Sequence, residues 1–232
     1  VTIHGKYGTY LQGNFLIDFL RKIFIKQQSK IWEKANKVIV ISESIRDWLE
    51  KLNSSIKPTV IPYGVEVQEV SQKNKLANPT LGYLGKLNKN KGIEDLIDVY
   101  TKFKEKENSS NFELTLLIGG TGSENYVKSL KNKNKDNNIK FLGYVEDRYS
   151  FFESIEIFVF PSYSEGLGLV LLEAMAHGVI CITRDVTPMN SIVDNEENGF
   201  LFNDNKEILE KIEMVLKLNL TEKNKLVQSA IK

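Results

Sequence analysis

Short runs of β-branched and aromatic residues alternate with longer amphipathic runs along nearly the whole chain, and this alternation restricts the fold more than any other feature. A helix hides an apolar stripe and a strand hides a face, so alternating elements settle as parallel strands joined by crossover helices. The strands read as 1–3, 37–41, 59–61, 80–84, 113–118, 139–142, 155–160, 179–183 and 199–202. Most are apolar at consecutive positions, which predicts burial on both faces. Helices are expected at 15–35, 44–52, 92–104 and 124–131, among others. The expected class is α/β: a Rossmann-like, doubly wound parallel sheet domain plus part of a second one.

The stretch 63–79, YGVEVQEVSQKNKLANP, is polar and lacks sustained periodicity, as a linker does. Residues 1–72 therefore read as the truncated C-terminal part of one Rossmann-like domain and 73–232 as a nearly whole second one. The opening VTIHG resembles the end of a strand already under way, so a fragment is expected. The formal net charge is +1 with acids and bases interspersed, which argues against a dedicated nucleic-acid surface. The Lys/Asn run at 131–138 reads as a solvated helix end. Cys181, the one cysteine, lies in the apolar run VICIT and reads as a small buried hydrophobe, which fits a reducing, cytoplasmic compartment. No run approaches the roughly 18 apolar residues of a membrane span, and no signal peptide is recognisable.

The stretch PSYSEGLGLVLLEAMAHG at 161–178 carries the most chemistry. A glycine-bearing turn opens an almost wholly apolar helical run, and a helix N-terminus offers unpaired N–H groups to an anion. Glu165 in the turn and Glu173 in the helix then point to an anion carried by something rich in hydroxyls. Glu173 is the one charged residue from Leu167 to Ala176, so the helix should be buried and its carboxylate partnered. Adjacent ribose hydroxyls fit that carboxylate, and so do backbone N–H groups from a neighbouring loop. Glu165 either projects toward a group held over the terminus or simply favours the helix dipole. Gly166 and Gly168 allow a sharp turn that presents the amides of Gly166, Leu167, Gly168 and Leu169 to a diphosphate. Glycoside hydrolysis also uses two carboxylates, but on opposite sides of a bound sugar. Neighbours along one turn and helix are poorly placed for that.

Ligands of open α/β sheets sit beyond the carboxyl ends of the strands. After TLGYLG come Lys86 and Lys91, cations that either neutralise phosphate or lie solvated. After LTLLI, the glycines of GGTG at 119–122 either admit a ligand or make a tight turn. Tyr144 and Val145, in FLGYVED, either meet a planar base or pack. His4 ends the first strand, as a packing histidine or a polar contact to substrate. His177, followed by Gly178, reads as a residue favoured at a helix C-terminus.

In order, VIVISESIRDWL, VIPYGVE, LGYLGKLNKNKGIEDLI, LLIGGTG, FLGYVED, FVFPSYSEGLGLVLLEAMAHG and NGFLF resemble glycosyltransferase family 4, the retaining GT-B enzymes that use nucleotide sugars. That resemblance implies that Lys91 grips the donor diphosphate, and that Lys86 stands where the family usually has arginine, keeping charge but losing the bidentate fork. It implies Glu165 on the transferred sugar and Glu173 on the ribose. The backbone from Gly166 through Leu169 would hold phosphates, and Tyr144 with Val145 the base. His4 would reach the donor sugar or acceptor. Asn190 and Ser191 depart from the acidic residue common before the Ile-Val pair.

The expected reaction is sugar transfer from a nucleoside diphosphate donor to an acceptor hydroxyl with retention, in polysaccharide, lipopolysaccharide or glycolipid synthesis. Lys86, Lys91 and the helix terminus would stabilise the leaving diphosphate, so no metal or other cofactor is expected. The expected partners are a nucleotide sugar and a glycan or lipid-linked acceptor. Peripheral membrane association through the absent N-terminal half is the expected link to the inner membrane face. The alternatives are a non-catalytic nucleotide-sugar-binding module and a GT-B sugar-nucleotide epimerase.

Overall fold

The computed structural model describes residues 1–4, 15–67, 78–106, 113–133 and 136–231. Part of the expected linker, 68–77, and Gly5 beside His4 lie outside the described residues. The chain divides into two compact units, Val1–Gly64 with Glu165–Gly168, and Val65–Ser164 with Leu169–Lys232.

In the first unit, strands β1 (Thr2–Ile3), β2 (Ile39–Val40) and β3 (Thr59–Val60) form a parallel sheet in that order. Helices α1 (Phe15–Trp32) and α2 (Glu43–Leu52) make the crossovers. Ile3, Val38, Val40, Ile45, Leu49 and Ile56 form its core. In α2, Ile45 and Leu49 lie four apart on one face and are fully buried, the spacing that a helix needs to line a core.

The second unit runs β4 (Thr80–Leu84), α3 (Ile93–Lys106), β5 (Thr115–Gly119), α4 (Glu124–Lys133), β6 (Ile139–Gly143) and α5 (Arg148–Glu153). It continues with β7 (Ile157–Phe160), α6 (Leu169–Ala176), β8 (Ile180–Arg184), β9 (Phe200–Phe202), α7 (Asn205–Lys217) and α8 (Leu220–Ile231). Its sheet has the order β6-β5-β4-β7-β8-β9, and every pairing is parallel. β7 and β8 are buried at every position, as consecutive apolar residues require. β6 departs from the expectation of two buried faces: only Ile139 is buried, because the strand forms an edge and alternates with Lys140.

The order has a direct consequence for function. From β4 the chain winds outward through β5 to β6, and from β7 it winds the other way through β8 to β9. The reversal falls between the hydrogen-bonded neighbours β4 and β7. The usual ligand position in such sheets lies beyond the carboxyl ends of the strands at such a reversal.

Candidate functional site

The loop after β4 carries Lys86 and Lys91 and is fastened from below. Gly85 N–H donates to the Gly119 carbonyl (3.1 Å) and Leu87 N–H to the Thr121 carbonyl (2.8 Å). The GGTG turn is thus a seat for the lysine loop. Gly120 has φ +132°, and a Cβ there would collide with the Gly85 carbonyl oxygen. Asn88 caps a 3-10 turn, Lys89–Lys91, by accepting from Asn90 N–H (3.0 Å), and the turn ends at Gly92 with φ +64°. Lys86 is exposed and Lys91 half-buried.

Across the strand reversal, the loop after β7 touches this turn. Tyr163 N–H donates to the Asn90 carbonyl (3.0 Å), and a Cβ on Gly92 would strike the Pro161 carbonyl oxygen. A buried polar network fixes the same junction. Arg184, 7% exposed at the end of β8, donates from Nε to the Pro161 carbonyl (3.2 Å) and from Nη1 to the Asn203 carbonyl (2.9 Å). Its Nη2 donates to Asp95 Oδ2 (2.9 Å), in the first turn of α3. Asp95 also accepts from the Tyr163 hydroxyl (2.5 Å) and Asn205 Nδ2 (3.2 Å), and the Arg184 guanidinium stacks 4.0 Å from the Tyr163 ring centroid. Each of the three guanidinium nitrogens has an acceptor and one of these is a carboxylate, which is what makes burying the cation tolerable.

Helix α6 starts at Leu169, directly after Gly168 at φ +77°, and stops at Gly178 with φ +68°. Leu171, Ala174, Met175 and Ala176 are buried, while Glu173 keeps 24% of its side chain exposed. Its carboxylate pairs with a cation from another element. Arg148, the first residue of α5, donates from Nη1 to Oε1 (2.7 Å) and Oε2 (2.8 Å) of Glu173. A cation delivered by a neighbouring short helix was invisible in the spacing of α6 itself. His177 Nδ1 lies 2.7 Å from the Glu173 carbonyl oxygen, and its ring packs on Tyr149 and Phe152 of α5. His177 therefore belongs to the packing between α5 and α6.

Tyr144 and Val145 leave the end of β6: Tyr144 is 77% exposed, and Val145 packs onto the core. Topology thus brings Lys86, Lys91, Tyr144, Val145 and the start of α6 to one sheet edge of the second unit. In the first unit, His4 is exposed, its Nδ1 lies 2.8 Å from the Tyr63 hydroxyl, and the two rings stack. Glu165, Gly166 and Leu167 are half-buried and Gly168 is buried. Ser42 Oγ donates to the Gly166 carbonyl (3.2 Å), within that same unit. Asn190, one of the two departures, donates to Asp185 Oδ1 (2.9 Å). Among the described residues, no three His, Cys, Asp or Glu side chains group as a metal site, and no helix is long and apolar enough to cross a membrane.

A family model described as "Glycosyl transferases group 1" matches residues 66–232. The capsular polysaccharide biosynthesis glycosyltransferase CapM of Staphylococcus aureus is 32% identical over 202 residues, 78% of this chain and 52% of that protein. The alpha-monoglucosyldiacylglycerol synthase of Acholeplasma laidlawii is 24% identical over 236 residues, 91% of this chain and 58% of that protein. Among solved structures, Anabaena HepE in complex with UDP-glucose superposes with a TM-score of 0.81 at 18% identity, covering 99% of this chain and 65% of that one. The chain spans about half the length of the curated relatives it matches.

Proposed function

The chain belongs to the glycosyl transferases group 1 family and has the α/β fold of GT-B glycosyltransferases, and from that premise we propose that it moves a sugar from a nucleoside diphosphate donor to an acceptor hydroxyl. Within the family we assign it to glycosyltransferase family 4, with retention at the anomeric carbon. The single observation that carries the reading is the reversal of strand order between β4 and β7, with two lysines and the start of α6 leaving the same edge.

Charge develops on the departing diphosphate, and fixed cations and amide dipoles stabilise it without reorganising. In this reading Lys91 and Lys86 meet the phosphates, with the amides from Gly166 to Leu169. Glu173 accepts from the ribose, and Tyr144 with Val145 meets the base. Glu165 holds hydroxyls of the transferred sugar, and His4 reaches that sugar or the acceptor. With two lysines serving the leaving group, transfer needs no metal ion.

The acceptor is a glycan or a lipid-linked one, and the protein works at the inner face of a membrane. Helix α1 supports that placement. Phe19, Leu20, Ile23, Phe24 and Ile31 are exposed on one face, which also carries Gln27, and exposed Lys22, Lys26 and Lys30 run along one side of it, while Ile25 and Ser29 are buried on the other side. The named relatives act in polysaccharide and glycolipid synthesis, which fits either acceptor.

The test is calorimetric titration of the protein with UDP-, GDP- and ADP-sugars, with and without chelator. One nucleotide class should bind, and chelator should change neither binding nor turnover. Glu173→Ala and Lys91→Ala should each weaken that donor by roughly 10- to 100-fold, the worth of a hydrogen bond to a charged group. Full affinity in both variants would sink the site assignment.

A further inference from the structure

We infer that Arg148 is a positioning residue for nucleotide recognition: it holds the Glu173 carboxylate in the orientation that selects ribose over deoxyribose. The inference rests on the reading of Glu173 as the ribose acceptor and adds a residue to it.

The geometry is specific. One guanidinium nitrogen, Nη1, bridges both carboxylate oxygens at 2.7 and 2.8 Å. A carboxylate has about four lone-pair directions, so this contact leaves one on each oxygen for a pair of vicinal hydroxyls. Glu173 therefore has room for Arg148 and a diol together. The bridge also removes the freedom that would let a long side chain present its oxygens in many ways.

Arg148 is itself held. It is the first residue of α5, whose N-cap Asp147 accepts from Ser150 N–H (3.0 Å) and Ser150 Oγ (2.5 Å). Those bonds, the side-chain one foremost, keep the Asp147 carboxyl below its usual pKa. Phe151 and Phe152 bury the same helix, and Phe152 and Tyr149 pack against His177 beyond the end of α6. The arginine thus joins a segment that follows the Tyr144–Val145 turn to the second turn of α6, and it does so from a surface position, 55% exposed, where packing alone does not require a cation. An exposed ion pair of this kind adds little to stability, so its worth should appear in ligand selection.

The experiment measures Kd for whichever of UDP, GDP and ADP the wild type binds tightest, and for its 2′-deoxy counterpart, in wild type, Glu173→Ala, Arg148→Ala and Arg148→Lys. Wild type should prefer the ribonucleotide about tenfold or more, as expected for a hydrogen bond to a carboxylate. Arg148→Ala should lose most of that preference while binding the deoxynucleotide within about twofold of wild type, because base and phosphate contacts are spared. Arg148→Lys, which still pairs with the carboxylate, should recover part of it. A preference in Arg148→Ala equal to wild type, with the preference lost in Glu173→Ala, overturns the role of Arg148 and leaves the ribose reading standing. Equal preferences in wild type and Glu173→Ala overturn the ribose reading and the inference together. Tighter ribonucleotide binding by Arg148→Ala would make the arginine an obstructing group, and overturns the inference too.

Discussion

Arginine stands at only four positions in this chain, 21, 46, 148 and 184, against a much larger number of lysines. Three of the four, Arg46, Arg148 and Arg184, pair with carboxylates, and the last two do so across distant parts of the chain. That choice is physical: a planar fork fixes direction, whereas an ammonium supplies charge alone. The signal was present in the sequence, since an arginine in a lysine-rich chain marks a place where geometry counts. The lysines were legible because they follow strand ends; Arg148 and Arg184 were not, because their partners, Glu173 and Asp95, are distant in sequence. At Tyr163 the hydrogen bond to Asp95 and partial burial raise the phenol above its ordinary 10.0. A raised phenol pKa stabilises the fold fully below the unfolded value, and that contribution fades as pH climbs through the folded one. Tyr163→Phe should therefore melt below wild type at pH 7, and the gap should close above about pH 10. A gap of constant size across pH 7–11 in thermal melts would show that the fold does not raise the Tyr163 phenol, and no gap at pH 7 would show that the hydroxyl contributes nothing.

Among elements, the boundaries of the strands lay within two residues of their expected positions, because β-branched runs bounded by Gly, Pro and polar residues are punctuated sharply. What escaped was how loops hold one another. The GGTG turn left two readings open, and the collision that any Cβ at Gly120 would make with Gly85 explains its glycine content by the backbone of the neighbouring loop. The exposure of β6 escaped for a similar reason: its residues read as apolar, but edge position depends on strand order, which local pattern does not encode. Asp95 ties α3 to the strand-end loops after β7, β8 and β9, through Tyr163, Arg184 and Asn205. Asp95→Ala leaves a buried cation uncompensated, and should cost about 3 kcal/mol in urea unfolding, with loss of donor affinity as the two loops separate. A loss under about 1 kcal/mol would show that Arg184 finds its partners elsewhere.

For the molecule as a whole, the alternation of short and long runs anticipated the α/β class, but net charge near zero hid the lysine-edged stripe on α1. Averages conceal such a surface, since the apolar residues and lysines of one helix vanish into the totals. Vesicles containing phosphatidylglycerol should bind the protein, and added salt should weaken that binding because the lysine contribution is screened. Phe19→Ser with Phe24→Ser should lower partitioning roughly tenfold or more, since two large apolar side chains are lost from the interface. Equal sedimentation of that double variant and wild type with vesicles would remove α1 from membrane contact.

The direct pairing of β4 with β7 has a temporal side. Leu81 lies against Ile157, so the two strands at the centre of the sheet are neighbours only after the β5 and β6 crossovers have closed a very long loop. Such distant pairing is entropically late, while β4 with β5 and β7 with β8 join across far shorter separations. Each half can therefore organise before the middle does, and the junction at the reversal forms with the last pairing. Any ligand that binds only the completed sheet at this reversal would stabilise the junction that was slowest to form.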